Sequence, residues 1–371
     1  MNNFLKYAVP SVQKLSPYQP GKPVEELERE LGITNAIKLA SNENPLGPSN
    51  RAILAAQSVI GDVNYYPDGA GHKLSTALAQ KHGVDQACIT LGNGSNDILE
   101  LIGRAFLSAS HSAVYSEYSF AVYPLVVQAV GAQARVAKAY APEHDLMPYG
   151  HDLKAINKQI SKTTRVVFIA NPNNPTGTWF ELGELHLFLT QVADDVVVVL
   201  DEAYFEYMPD VLKPDTEALL RQYKNLVITR TFSKIYGLAG LRIGYSISHP
   251  DIADILNRVR QPFNTNMPAQ AAALAAIDDQ DHVANSAALN ALGLKQYANA
   301  FSELGLDFIP SIANFIAVNL KRDAMPVYDA LLREGVIVRP VASYNMPEFL
   351  RITVGNQQQN ERVLSALKKV L

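Results

Sequence analysis

Short hydrophobic runs alternate with helix-like stretches between about residue 50 and residue 260 of the chain. The apolar runs have the lengths of strands and lie at 113–115, 134–137, 165–170, 196–200, 226–229 and 244–248. Strands that are apolar along their whole length are typical of sheets covered by helices on both faces. The alternation therefore predicts an α/β fold with a large domain built on a mostly parallel sheet.

The pattern changes after residue 266. An alanine-rich helical stretch at 267–304 precedes strand-like segments at 308–320, 336–340 and 350–354 and helix-like segments at 324–334 and 360–371. This mixture predicts a small α+β domain at the C-terminal end. The first residues are rich in proline, with one short helix-like segment at 24–31, and they read as an arm. The expected division is 1–49 for the arm and part of the small domain, 50–266 for the large cofactor-binding domain, and 267–371 for the connecting helix and small domain.

Composition narrows the classes of function. The 371 residues leave room for two domains. The 32 basic and 36 acidic residues give a net charge of -4, so the composition lacks the excess of positive charge that binds nucleic acid or an anionic membrane. The one cysteine, Cys88, cannot form an internal disulfide, and the sequence has no Cys/His cluster at metal-ligand spacing. No apolar run reaches the ~18 residues of a membrane span. These features predict a cytoplasmic protein without a metal, a nucleic-acid partner or a membrane anchor.

A reactive lysine follows the strand at 226–229. Lys234 carries a primary amine that can form a Schiff base with an aldehyde cofactor and later move protons. Ser233 and Arg242, on either side of a glycine-rich stretch, can bind a phosphate group. Since most lysines are solvated surface charges, this segment becomes informative only together with its companions.

Two other predicted strands also end in polar side chains. Asp201 follows the strand at 196–200, where its carboxylate can pair with a protonated pyridine nitrogen. Tyr204 and Asn174 can reach the phenolic oxygen of such a ring. The structural alternatives are a capping role for Asp201, a buried structural tyrosine, and a simple Asn/Pro/Gly turn around Asn174. Because ligands bind at the carboxyl ends of parallel strands, the sequence favours one shared site.

A fourth candidate lies at a predicted helix start. Gly94, Ser95 and Asn96 precede the apolar-periodic helix at 98–107. Free backbone amides and the helix dipole at such a start bind anions, although an ordinary capped helix would have the same pattern.

In combination, these motifs resemble the fold type I, pyridoxal-phosphate-dependent class I/II aminotransferases over nearly the whole chain. The shared motifs are Asn-Pro-x-Asn-Pro-Thr-Gly at 171–177, Asp-Glu-Ala-Tyr at 201–204 and Thr-Phe-Ser-Lys at 231–234. Within that family the sequence is most similar to the histidinol-phosphate aminotransferase branch. The segments that carry this likeness are 15–22, 39–45, 234–242 and 349–355.

The resemblance implies pyridoxal 5'-phosphate as the cofactor. Lys234 is then the catalytic Schiff-base lysine, Asp201 the partner of the ring nitrogen, and Tyr204 a ligand of the phenolic oxygen. The implied cofactor-binding set is Gly94, Ser95, Asn96, Phe120, Asn174, Asp201, Tyr204, Ser233, Lys234 and Arg242. Tyr66 would reach the phosphate from the partner subunit of a homodimer with shared sites. Phe120 stands where many members have a stacking tyrosine. Ile235 is bulkier than the small residue that many members of the superfamily carry directly after the lysine, but it suits the histidinol-phosphate branch.

The resemblance also implies the substrates. Arg351 matches the arginine that grips a substrate carboxylate or, in this branch, a phosphate, and Arg339 and Tyr18 are its helpers, although Arg339 can equally be a surface ion-pair residue. Asn42 and Asn314 are further pocket candidates. The implied reaction converts L-histidinol phosphate and 2-oxoglutarate to imidazole acetol phosphate and L-glutamate, and runs in reverse for histidine synthesis.

Rival functions use the same scaffold. An aromatic amino acid aminotransferase is the nearest, because one arginine can serve a carboxylate or a phosphate. A threonine-phosphate decarboxylase also needs a phosphate site but would release carbon dioxide. A cofactor-binding regulatory module would need a DNA-binding segment, and no basic helix-turn-helix pattern precedes the domain.

Overall fold

The computed structural model describes residues 4–17 and 21–371. The α-helices in chain order are α1 Pro10–Gln13, α2 Val24–Leu31, α3 Asn50–Ser58, α4 His72–His82, α5 Ser95–Phe106, α6 Val122–Ala129, α7 Leu153–Gln159, α8 Leu182–Gln191, α9 Thr216–Gln222, α10 Pro250–Val259, α11 Met267–Ile277, α12 Gln280–Glu303, α13 Met325–Arg333 and α14 Gln357–Val370. The strands are β1 Ile37–Lys38, β2 Ile89–Gly92, β3 Ser112–Ser116, β4 Gln133–Ala137, β5 Thr164–Ala170, β6 Val197–Asp201, β7 Leu226–Thr231, β8 Gly244–Ser248, β9 Asp307–Ile309, β10 Phe315–Asn319, β11 Val336–Ile337, β12 Arg339–Val341 and β13 Met346–Thr353.

The larger sheet has seven strands in the order β2-β8-β7-β6-β5-β3-β4. Strand β8 runs antiparallel to both of its neighbours, and the other pairs are parallel. Each central strand is buried on both faces, because Val166 and Phe168 pack into one hydrophobic core and Val167 and Ile169 into another. The α/β fold with a mostly parallel sheet is therefore confirmed. Strand β2 was not predicted, since a short edge segment containing Thr90 and Gly92 has no continuous apolar run.

The smaller sheet is antiparallel, with the order β12-β13-β10-β9, and a separate parallel pair joins β1 to β11. The single strand predicted at 308–320 is wrong, because a turn that begins at Pro310 separates β9 from β10. The segment predicted at 336–340 also divides, with β11 paired to β1 and β12 paired to β13. Pro340 fits β12 because this strand lies at the sheet edge, where a missing N–H breaks no ladder.

Two helix boundaries differ from the sequence pattern, and a side-chain cap explains one of them. The helical stretch at 267–304 is two helices, and the Asp279 side chain accepts a hydrogen bond from the amide of His282 at the start of α12. Helix α5 begins at Ser95 instead of residue 98. We propose that the domain division at 49/50 and 266/267 follows the two sheets, with the β1–β11 pair joining the N-terminal segment to the small domain.

Across residues 4–17 and 21–371, no helix is both long and apolar enough to cross a membrane. In the same residues, no group of three or more His, Cys, Asp or Glu side chains is arranged to hold a metal ion.

Candidate active site

A cavity of about 580 Å³ opens where strands β5, β6 and β7 end, at Ala170, Asp201 and Thr231. Ligands bind at this edge in parallel α/β sheets. Most of the predicted site residues line the cavity, namely Asn42, Ser95, Asn96, Phe120, Asn174, Asp201, Tyr204, Ser233, Lys234, Arg242, Arg339 and Arg351. The structure thus brings together side chains that are up to 309 positions apart in the sequence, from Asn42 to Arg351.

Lys234 is half-buried in this cavity, and its Nζ donates a hydrogen bond to the backbone oxygen of Ser41 at 3.0 Å. Burial, followed by the positive charges of Arg351 and Arg242, lowers the pKa of Lys234 to about 7. A lysine with this pKa is largely neutral just above pH 7, and the neutral amine is the nucleophilic form.

The depressed pKa of Lys234 predicts how loading of an aldehyde cofactor depends on pH. Below about pH 7 the amine is protonated and unreactive, whereas above it the amine is neutral. We therefore expect the rate of pyridoxal phosphate incorporation to rise about tenfold per pH unit below pH 7 and to level off above it. Stopped-flow absorbance of the apo-protein mixed with pyridoxal phosphate would measure this rate. A rate that keeps rising towards pH 10 would contradict the assignment.

Asp201 lies at the end of β6 with 4% of its surface exposed. Its carboxylate accepts hydrogen bonds from the Tyr123 hydroxyl at 2.8 Å and from Thr229 Oγ1 at 3.1 Å. Burial raises the pKa of Asp201, and these hydrogen bonds and the nearby charge of Lys234 oppose that rise. A buried carboxylate held in this way can accept a cationic N–H from a ligand in the cavity.

Asn174 and Tyr204 are oriented by residues from other parts of the chain. Asn174 Oδ1 accepts a hydrogen bond from Arg351 at 2.5 Å, so the amide N–H groups of Asn174 remain as the donors of this side chain. The Tyr204 hydroxyl accepts from Asn42 Nδ2 at 2.9 Å and keeps its own proton to donate. Both side chains can therefore donate to an oxygen atom bound in the cavity.

The segment around Gly94 forms an anion-binding cradle with Arg242. Gly94 precedes α5 with a φ of 82°, and a Cβ atom at this position would collide with the Arg242 guanidinium. Arg242 itself donates to Ser233 Oγ at 3.2 Å. The start of α5, the guanidinium and the serine hydroxyl together provide the positive potential and donors that a phosphate needs.

Among the residues that the structure describes, three predicted site residues do not line the cavity, namely Tyr66, Asn314 and Gly94, the last of which lies against Arg242. The Tyr66 side chain is 80% exposed and stacks on Phe263 with ring centroids 4.6 Å apart. Asn314 is buried behind Asn42, whose backbone oxygen accepts from its Nδ2 at 2.9 Å. Tyr18 lies outside the described residues.

Sequence reasoning missed Tyr123 and Thr229, the two side chains that bind Asp201. Thr229 lies opposite Asp201 in the parallel pairing of β6 and β7, which becomes visible only once the strand order is known. The one signal for Tyr123 is its position three residues after Phe120, which places both rings at the start of α6.

The arrangement fits pyridoxal phosphate, the cofactor that the sequence resemblance implies. A buried acid suits the ring nitrogen, the amine of Lys234 suits the aldehyde, and the cradle at Gly94 and Arg242 suits the phosphate. Phe120 supplies an aromatic surface in the same cavity.

Comparison with known proteins places this arrangement in a family. The family model described as aminotransferase class I and II matches residues 34–367. The chain belongs to this family.

Relatives of this aminotransferase are similar over their full length. Histidinol-phosphate aminotransferase 2 of Pseudomonas aeruginosa is 57% identical, with 100% of this chain and 99% of the relative covered. Histidinol-phosphate aminotransferase 1 of Nitrosococcus oceani is 52% identical, with 99% and 98% covered. Among solved structures, histidinol-phosphate aminotransferase from Sinorhizobium meliloti in complex with pyridoxal-5'-phosphate matches with a TM-score of 0.88 and 30% identity, covering 98% of this chain and 97% of that chain. The chain also shares its fold with Thermus thermophilus aspartate aminotransferase with maleate. That structure matches with a TM-score of 0.84 and 18% identity, covering 98% of this chain and 99% of that chain.

Proposed function

We propose that this aminotransferase converts L-histidinol phosphate and 2-oxoglutarate to imidazole acetol phosphate and L-glutamate, using pyridoxal phosphate, and that the reverse direction serves histidine synthesis. The amino group moves from one substrate to the other, so the two products balance the two reactants. Full-length similarity to proteins named histidinol-phosphate aminotransferase supports this proposal.

One structural observation carries the choice of a phosphorylated substrate. Arg339 and Arg351 lie directly opposite each other on β12 and β13, and both line the cavity. Two guanidinium groups at one cavity wall offer planar forks of N–H donors, which suit the oxygens of a phosphate. Arg351 is only 6% exposed, so an anion bound beside it would be largely shielded from water. A phosphate dianion carries more charge and more acceptor oxygens for such a pair than a carboxylate does.

Each cavity residue has a defined task in this proposal. Pyridoxal phosphate, when bound, supplies an electron sink for the substrate carbon that bears the amino group. Lys234 Nζ would hold the cofactor through its aldehyde group and, when free, would serve as the base and acid that moves the proton of the substrate carbon bearing the amino group. The Asp201 carboxylate would keep the proton on the ring nitrogen. Asn174 and Tyr204 would donate to the phenolic oxygen, and Ser233 and Arg242 would hold the cofactor's phosphate.

The proposal is tested by the visible absorbance of the cofactor-loaded protein during separate additions of L-histidinol phosphate, phenylalanine and threonine phosphate, without keto acid. We expect rapid bleaching of the visible band by histidinol phosphate at low concentration. A response to phenylalanine alone would move the assignment to an aromatic amino acid aminotransferase, and carbon dioxide release from threonine phosphate to a decarboxylase. Complete absence of a visible band would contradict the cofactor assignment.

We further propose that the enzyme works as a homodimer in which Tyr66 completes the partner's phosphate site. Tyr66 lies in a surface patch of exposed apolar side chains on and after α3, namely Leu54, Ile60, Val63, Tyr65, Tyr66 and the neighbouring Phe263. A patch of this kind on a well-packed protein is typical of an interface. An isologous dimer through this patch would bury the apolar side chains of both copies.

A charge placed in this patch is expected to separate the subunits. Leu54 is 65% exposed, so Leu54→Glu leaves the monomer fold intact but would bury an unpaired carboxylate in the dimer. We expect the dissociation constant of the dimer to increase at least 100-fold. Cofactor binding should also weaken, because the partner's phosphate site loses Tyr66. Sedimentation velocity would measure the first effect and cofactor titration the second. The matched control is Leu187→Glu on α8, a site 50% exposed and outside the patch, which should stay dimeric. An unchanged dimer in Leu54→Glu would contradict the proposed interface.

A further inference from the structure

Tyr123 is buried beneath the cavity and touches two of its walls. The ring has no exposed surface, stacks on Phe168 with centroids 4.9 Å apart, and meets Phe120 edge-on at 5.9 Å. Its hydroxyl donates to Asp201 Oδ2 at 2.8 Å. The ring is therefore fixed on both sides, and the only polar atom of its side chain is aimed at the acid of the site.

The hydrogen bond from Tyr123 acts on the distribution of a proton. A donor to Asp201 stabilises the ionised carboxylate more than the neutral acid. When Asp201 faces a pyridine nitrogen, a proton shared between them can lie on either group. Each donor to the carboxylate shifts that proton towards the nitrogen. Thr229 Oγ1, 3.1 Å from the other carboxylate oxygen, acts in the same sense.

We propose that Tyr123, assisted by Thr229, is a positioning residue that keeps Asp201 ionised and correctly oriented, so that the ring nitrogen of the cofactor carries the proton. This inference rests on the proposed cofactor and on the role of Asp201 in it. Tyr123 does not line the cavity, and its hydroxyl acts on the site through the hydrogen bond to Asp201.

The tests use Tyr123→Phe in the cofactor-loaded enzyme, a change that removes one oxygen and leaves the packing of the ring. The direct readout is the ¹⁵N NMR shift of the ring nitrogen in enzyme loaded with ¹⁵N-labelled pyridoxal phosphate. We expect this shift to move towards the value of the unprotonated ring. We also expect kcat to fall about 10-fold to 100-fold with KM changed less than about threefold, as for a lost hydrogen bond to a charged group.

Two further variants separate positioning from packing. Tyr297→Phe removes another fully buried hydroxyl, on α12 and away from the cavity, and should change neither the ¹⁵N shift nor kcat. Thr229→Val removes the second donor and should shift the ¹⁵N signal in the same direction as Tyr123→Phe. It also keeps the inference testable if Tyr123→Phe fails to fold.

The outcomes distinguish this inference from the proposed function. The positioning role alone would be overturned if the wild type binds pyridoxal phosphate but Tyr123→Phe and Thr229→Val show the same ¹⁵N shift as the wild type. This would hold even if the activity of the variants fell. A wild-type protein that binds no pyridoxal phosphate would overturn the cofactor assignment and the positioning role with it.

Discussion

A Lys234→Ala protein is expected to lose transamination by a factor on the order of 10⁴ or more, because in the proposed mechanism the same amine anchors the cofactor and moves the proton. Alanine offers neither a nucleophile nor a base, and among residues 4–17 and 21–371 no other lysine lines the cavity. The test compares initial rates of glutamate formation from histidinol phosphate and 2-oxoglutarate with those of the wild type. The visible absorbance of the purified variant should lack the band of the covalently anchored cofactor.

The matched control for this loss is Lys138→Ala. Lys138 is exposed and paired with Glu117 at 2.8 Å, and a surface ion pair of this kind contributes little to stability. The control should therefore retain both rate and visible band. Full transamination by Lys234→Ala would rule out the assigned site.

An Asp201→Asn protein is expected to be slower by about 100-fold to 1000-fold, the range seen when one preorganised charge-stabilising group is removed. The substitution keeps the shape of the side chain but removes the negative charge that we propose faces the ring nitrogen of the cofactor. Since Tyr123 and Thr229 donate to the native carboxylate, the amide also leaves one of these donors without an equivalent acceptor. Steady-state kcat and cofactor affinity, measured together, would report both effects.

A surface carboxylate provides the comparison for Asp201. Asp210 is 94% exposed and pairs with Lys213, so Asp210→Asn should leave kcat unchanged. A wild-type rate in Asp201→Asn, with normal cofactor content, would show that the ring nitrogen has no need of this acid.

The parts of the fold that could be read from the sequence are those fixed by local chemistry. The bounds of α2 match the prediction at 24–31 because Pro23 precedes the helix in an extended conformation and Gly32, with a φ of 65°, follows its last residue. The central strands were readable because they are apolar along their length and buried on both faces. The family motifs then supplied the cofactor and the reaction class, which no periodicity contains.

The features that the sequence could not supply depend on pairing between distant segments. The division of the segment at 336–340 between two sheets depends on which strand each half meets. The contact between Tyr123 and Asp201 joins residues 78 positions apart, and it requires α6 to direct one ring beneath the end of β6. The opposition of Arg339 and Arg351 likewise follows from the register of β12 and β13.

That opposition has an evolutionary consequence. The two arginines belong to the four-stranded sheet, whereas Asp201 and the lysine segment extend from strands of the seven-stranded sheet. On the proposed assignment, the choice of substrate depends mainly on one sheet and the chemistry performed on it mainly on the other. Arg351 joins the two, because it also binds Asn174 and lowers the pKa of Lys234. Substitutions of Arg339 on β12 can therefore change which anion is accepted while the reaction machinery stays intact, which gives descendants of such an enzyme a short mutational path to new substrates.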